Sequence, residues 1–237
     1  EFLTSHAAAR GVDLQSSPLL LLGQELGQSS KDSLKQCLRP TVEKLFNSKQ
    51  TSLNVPEFKA VLDETDRYID LVLEAKQAGD LGSANSLDAY RLISRNLAAL
   101  SVQDIASGEC LLGDHGIRHL IGHNIAVCER LADQLESAGH PLRSVDRLAL
   151  HQAMILHDIG YAEPAVRDSI ASQGLKGQDA GHPLLSAHYF STSFENPNDP
   201  LTKMFKPAQR QALHRCALHH DVDSQGKPGL KLHLEEQ

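Results

Sequence analysis

The chain has 237 residues, 41% of them hydrophobic, with a net charge of −7 when histidine is neutral, 4% aromatics and no tryptophan. This length suits one large or two small domains, and the mix of Leu, Ala, Ile and Val favours helices. The acidic balance and the lack of a Lys/Arg-rich run exclude a protein that grips nucleic-acid backbone, and no apolar run reaches the roughly 18 residues of a membrane span.

In chain order, residues 1–17 carry little pattern and read as an arm. A short helix is expected over 18–28, with Ser17 as N-cap and Pro18 in its first position. Leu34, Leu38, Val42, Leu45 and Phe46 keep helical spacing over 31–47, with Pro40 as an interruption. Asn54-Val55-Pro56-Glu57 is a helix-start signal, and Phe58, Val61, Leu62, Ile69, Val72 and Leu73 carry that helix to about residue 78. A turn at 79–83 precedes a helix over 85–100. The second half reads as helices over 114–138, stopped by Gly139 and Pro141, then over 144–159, 164–173 and 182–194. The Asn/Pro-rich run 196–200 is a break, and a last helix covers 207–220. No alternating strand pattern of useful length occurs, so the fold class is all-α. A boundary near residue 108 separates a helical N-terminal extension or regulatory region, 1–107, from a histidine-rich helical domain, 108–237.

Cys37, Cys110, Cys128 and Cys216 lie far apart and form no Cys-x-x-Cys pair, which reads as reduced thiols in a cytoplasmic protein. The chain begins Glu1-Phe2 and stops at Gln237 soon after its last histidine cluster. It therefore reads as a piece of a longer sequence whose histidine domain is cut short at its C-terminus.

The chemistry lies in 13 histidines, most of them in the second half. His115, His119 and His123 follow one another at four-residue spacing and share a helix face. His119 and His123 are the expected ligands, while His115 sits near the helix start. His157-Asp158 closes the apolar stretch Leu148, Ala149, Ala153, Met154, Ile155 and Leu156. Its two side chains are expected to point in different directions, with His157 on one metal and Asp158 bridging two through its two oxygens. Such bridging lowers the pKa of a shared water. His182 opens a helix after a glycine turn and is the next ligand, whereas His188, six residues on, reads as packing or surface. His219 and His220 diverge by about 100° if the helix continues, so one or both reach the site. Asp221 and Asp223 offer further carboxylates, and His214 reads as an ordinary polar residue. The economical reading is a metal site assembled from several helices.

This order of motifs over residues 110–225 resembles the HD-domain superfamily of metal-dependent phosphohydrolases. His157-Asp158-Ile159-Gly160 matches the family signature. Gly181-His182-Pro183-Leu184-Leu185-Ser186-Ala187 looks like the helix that carries the next histidine, and Leu218-His219-His220-Asp221 is similar to the His-His-acid stretch of the HD-GYP-like branch. His123 fits that branch's first histidine, and His115-Gly116-Ile117-Arg118-His119 fits a competing alignment, so both His119 and His123 are kept. The resemblance implies an HD-domain-like helical bundle behind a helical N-terminal extension. It implies one to three divalent ions, Mn or Fe favoured with Mg, Ni and Zn compatible. Asp158 would be the catalytic bridge, with His119, His123, His157, His182, His219 and His220 as metal ligands. The implied reaction is hydrolysis of a phosphomonoester or phosphodiester, of a nucleotide or another small phosphorylated molecule, without nucleic acid or membrane. The N-terminal helices would cover the site, sense a signal or form a homodimer.

Three departures from the family pattern bear on that reading. Tyr161 stands where the family often has a lysine, leaving Tyr161 and Arg167, or Lys176, to contact phosphate. The Gly-Tyr-Pro motif is degenerate over 223–229. No Asp follows Asp223 to act as the late ligand. Two alternatives share the ligands: a di-iron oxygenase of the same family, and a non-catalytic regulatory or binding module.

Overall fold

The computed structural model describes residues 1–14, 26–47, 53–109, 116–164 and 181–220. Every regular element among them is helical, so the fold is all-α. The order is α1 (Phe2–Ala8), α2 (Gln28–Phe46), α3 (Val55–Gln77), α4 (Ser86–Glu109), a π-helix (Arg118–Ile125), α5 (Ala126–Ser137), α6 (Ser144–Leu156), a 3-10 turn (Ile159–Ala162), α7 (His182–Glu195), α8 (Pro200–Met204) and α9 (Pro207–His219).

Local signals account for most of these bounds. α3 starts at a capping box: Glu57 N–H donates to Asn54 Oδ1 at 3.0 Å, and Asn54 N–H donates to the Glu57 carboxylate at 3.0 Å. Two orphan amides at the helix start are thereby satisfied. α2 runs through Pro40 rather than stopping there. A proline removes one ladder hydrogen bond, and the burial of Leu34, Leu38, Val42, Leu45 and Phe46 on one face offsets that loss. α4 extends past the expected 85–100 to Glu109, because Val102, Gln103 and Ala106 continue its buried face. The expected 144–159 helix is split, since α6 ends at Leu156 and a 3-10 turn follows. The start of the helix expected over 114–138, the helix expected over 18–28 as far as residue 25, and the 164–173 helix beyond Pro164 lie outside the described residues, while Leu26 and Gly27 form a bend and Gln28 already opens α2.

One hydrophobic core runs from Leu3 to Ala217 and draws on both sides of residue 108. α3 packs on α6, α4 packs on α6 and on the 3-10 turn, and α9 packs on α6 and α7. A polar layer locks these contacts. Asn96 and Gln152 pair through reciprocal amide bonds of 2.9 and 3.0 Å, and the Tyr68 hydroxyl also donates to Gln152. Gln103 donates to Ile155 O at 2.9 Å, which satisfies a carbonyl at the α6 terminus just before the His-Asp pair.

His151 makes a second lock. It is 1% exposed, with Nδ1 2.6 Å from Glu64 on α3 and Nε2 against Glu129 on α5. Burial alone would lower the imidazole pKa, but the hydrogen bonds and charges of Glu64 and Glu129 outweigh it and raise the pKa above 6.5. Burial would likewise raise Glu129, and the His151 hydrogen bond and charge, helped by Arg147 and Arg67, hold it below 4.5 instead. The sign for each partner follows from linkage. The His151 contribution is complete below pH 6.5 and fades as pH rises through the raised value. The Glu129 contribution is complete above pH 4.5 and fades as pH falls through the lowered one. Replacing His151 with Gln leaves buried carboxylate charge without its cation, a loss of about 3 kcal/mol. Denaturant unfolding of parent and His151→Gln should differ most near pH 5.5 (about midway between the two limits) and converge as pH rises through the raised His151 value; a gap that does not change with pH would remove the charged triad from the account.

Candidate metal centre

Asp158 is the hub of the site. α6 ends at Leu156, and Asp158 leaves helical geometry at φ −100 and ψ 8 to open the 3-10 turn. The expectation that His157 and Asp158 diverge is therefore corrected. The change of backbone direction turns the carboxylate back, and His157 Nε2 lies 3.1 Å from Asp158 Oδ2. The side chain of Asp158 is 3% exposed.

The two carboxylate oxygens are shared out between two pairs of imidazoles. Oδ2 faces His157 Nε2 at 3.1 Å and His119 Nε2 at 3.4 Å. Oδ1 faces His220 Nε2 at 3.0 Å and His182 Nε2 at 3.4 Å. The Nε2 atoms of His182 and His220 are 3.0 Å apart. Each half is thus a two-histidine, one-carboxylate group whose donor atoms lie within 4.8 Å of one another. Ligand atoms about 2.1 Å from one ion are separated by about 3.0–3.4 Å, the edges of octahedral and tetrahedral shells. The spacings here have that size.

The outer nitrogens set the direction of the inner ones. His157 Nδ1 is 2.9 Å from Met154 O, and His220 Nδ1 is 2.8 Å from Ala217 O. Both residues are C-caps, of α6 and α9 respectively, and each binds the carbonyl three residues back. Orphan carbonyls of a helix end are placed to take an Nδ1 proton, and in the neutral ring this leaves the Nε2 lone pair on the side of Asp158. A ring in that tautomer presents an acceptor nitrogen beside the carboxylate, and the two together form a set that could hold a cation. Divalent ions fit this donor set.

Glycines permit the convergence. A Cβ on Gly160 would lie 2.2 Å from His182 O, so the 3-10 turn meets the α7 N-terminus only because residue 160 has no side chain. Gly160 N–H donates to Ser186 Oγ at 2.9 Å across the same contact. Gly181, at φ 76, turns the chain into α7 in a conformation that disfavours side chains. Tyr161 stacks on the His182 ring at 3.8 Å between centroids and 18° between planes, which fixes the plane of that imidazole.

Of the residues expected at the site, His119, His157, Asp158, His182 and His220 come together. His123 is exposed and stacks on the outer side of His119 at 6.3 Å. His219 is exposed, one step round α9 from His220. Tyr161 sits against His182 rather than in the cluster itself. His188 is exposed on the rim of a cavity of about 450 Å³ on another face of α7. His115, Arg167, Lys176, Asp221 and Asp223 lie outside the described residues. Cys37, Cys128 and Cys216 are free thiols. Burial, with the neighbouring charges of Cys128 and Asp158, pushes Cys216 up to about 11, so it stays protonated near the site.

Asn124 is the residue that sequence spacing missed. Its Nδ2 lies 3.0 Å from His119 Nε2 and 3.3 Å from His157 Nε2. In an α-helix residue i+5 falls about 140° from residue i. The wider i→i+5 ladder of the π-helix over Arg118–Ile125 brings Asn124 back toward the face of His119 and lets His123 drift outward. π-turns of this kind concentrate at functional sites.

No protein-family model, curated protein or solved structure matches the chain. No described helix is long and apolar enough to cross a membrane.

Gly160→Ala tests the packing that builds the site. The added methyl meets backbone rather than a movable side chain, so the turn must separate from α7. A loss of about 2–4 kcal/mol in unfolding free energy is expected, together with weaker metal uptake by equilibrium dialysis; a variant matching the parent in both would show that the close approach does not hold the site together.

Proposed function

We propose that this chain is a metal-dependent hydrolase of small phosphate esters, with two divalent ions held on either side of Asp158. One observation carries the reading: a single buried carboxylate whose two oxygens each face a separate pair of imidazole Nε2 atoms. His119, His157 and Asp158 Oδ2 would hold one ion, and His182, His220 and Asp158 Oδ1 the other. Paired ions of this kind polarise phosphoryl oxygens and lower the pKa of a water at neutral pH.

The chain's own residues supply position and charge. Asp158 keeps the two halves in register through one rigid carboxylate. Met154 O and Ala217 O hold His157 and His220 in the ligating tautomer. Tyr161 fixes the plane of His182. The least buried ligands are His119, with a side chain 27% exposed, and His220, at 15%, so substrate approaches from their side. A net charge of −7 makes the ions the main attraction for an anionic substrate. The order of these ligands along the chain is also the order in the HD-domain phosphohydrolases that the sequence resembles, which supports phosphorus as the reacting centre.

A second reading has its own support. Each half is two histidines and one carboxylate, a set that also suits Fe(II) and oxygen chemistry. Oxygen consumption by the iron-loaded protein, set beside hydrolysis by the manganese-loaded protein, separates the two.

Protein purified without chelator should carry close to two equivalents of transition metal by mass spectrometry. Asp158→Asn should lose most of it, and turnover of nitrophenyl phosphate mono- and diesters should fall by at least about 100-fold, with helical circular dichroism unchanged. Full hydrolysis by Asp158→Asn would end the proposal.

A further inference from the structure

We propose that Asn124 is itself a metal ligand, binding through its side-chain oxygen in the half of the centre built on His119, His157 and Asp158 Oδ2. The inference rests on the metal-centre reading above and adds a fourth protein ligand to one half of it.

The geometry points to an amide seated inside the ligand shell. Asn124 Nδ2 is 3.0 Å from His119 Nε2 and 3.3 Å from His157 Nε2. Asp158 Oδ2 stands 3.4 and 3.1 Å from the same two nitrogens. Amide and carboxylate therefore take up equivalent stations about one pair of imidazoles, at the separations expected of neighbouring ligands on a single ion.

As oriented here, the amide NH2 group can satisfy both lone pairs, one hydrogen to each ring. That arrangement is incompatible with an ion at the same place. Once the lone pairs point at a cation, the N–H groups face it too, and the contact becomes repulsive. Rotation of the amide by about 180° exchanges nitrogen for oxygen with almost no change of shape. It would bring Oδ1 to the position now held by Nδ2, where a neutral oxygen donor suits a hard or borderline divalent ion.

The two halves then differ. The first has two nitrogens, a carboxylate oxygen and an amide oxygen, all from described residues. The second has His182, His220 and Asp158 Oδ1 from the same set. Among the described residues the first half has one ligand more, and Asn124 strengthens the grip of that half on its ion.

The test compares Asn124→Ala and Asn124→Asp with the parent, by calorimetric titration of the metal-stripped full chain with Mn²⁺ and Zn²⁺, backed by metal content. Helical circular dichroism serves as the folding control. Asn124→Ala should weaken one of two binding events by at least about tenfold, with the other changed less. Asn124→Asp keeps an oxygen in place and should bind that ion at least as tightly as the parent. A donor role for the amide predicts the reverse for this variant, because aspartate has no hydrogen to give. Equal weakening in Ala and Asp, or parent-like binding in both, would overturn the ligand assignment while leaving the metal centre standing. A parent that binds neither ion would instead remove the centre, and Asn124's role with it.

Discussion

A carboxylate held almost out of water must be compensated by hydrogen bonds or positive charge. Asp158 is ringed by imidazoles from four places, the π-helix, the end of α6, the start of α7 and the end of α9, a set that could hold the compensating charge. No one of these elements could supply the set. A helix offers neighbours at one-turn spacing on one face, and two oxygens pointing apart need partners from opposite sides. The arrangement of the second half follows from that requirement. Its candidate ligands sit at helix ends, where the backbone can change direction and where free carbonyls are available to orient a ring.

The first half of the chain takes part as a support. Gln103 caps a carbonyl at the end of α6, the Asn96–Gln152 pair fixes α6 against α4, and His151 holds α6 between Glu64 and Glu129. His151 lies in α6 and His157 caps its end, so the helix is anchored by charge in its middle and by the candidate metal cluster at its end. The core is continuous through these contacts. A centre that depends on spacings of a few tenths of an ångström requires this kind of backing.

Much of the fold could be read from the chain. The Asn54–Glu57 box, the stop at Gly139 and the prolines opening α7 and α9 mark bounds through local chemistry, which depends on nearby residues alone. Pro40 misled because its effect is not local: one lost hydrogen bond matters less than five buried apolar side chains. The extension of α4 was hidden for a similar reason, since Gln103 looks like a surface residue until Ile155 O is set beside it. At the site, His157, Asp158 and His182 stood out by type and context, and His220 as one of an adjacent pair.

The sequence by itself determined the helical class, the main helix starts and the kinds of ligand available, because capping, turn chemistry and apolar periodicity act within a few residues. Tertiary structure alone decided which histidine of each candidate pair turns inward. His119 rather than His123 depends on the π-helix, whose wider turn shifts the face by an amount no α-helical spacing gives. His220 rather than His219 depends on where α9 ends against α7. The inward turn of Asp158 and the place of Asn124 beside two ligands are likewise set by packing, because both require backbone departures that neighbouring helices stabilise.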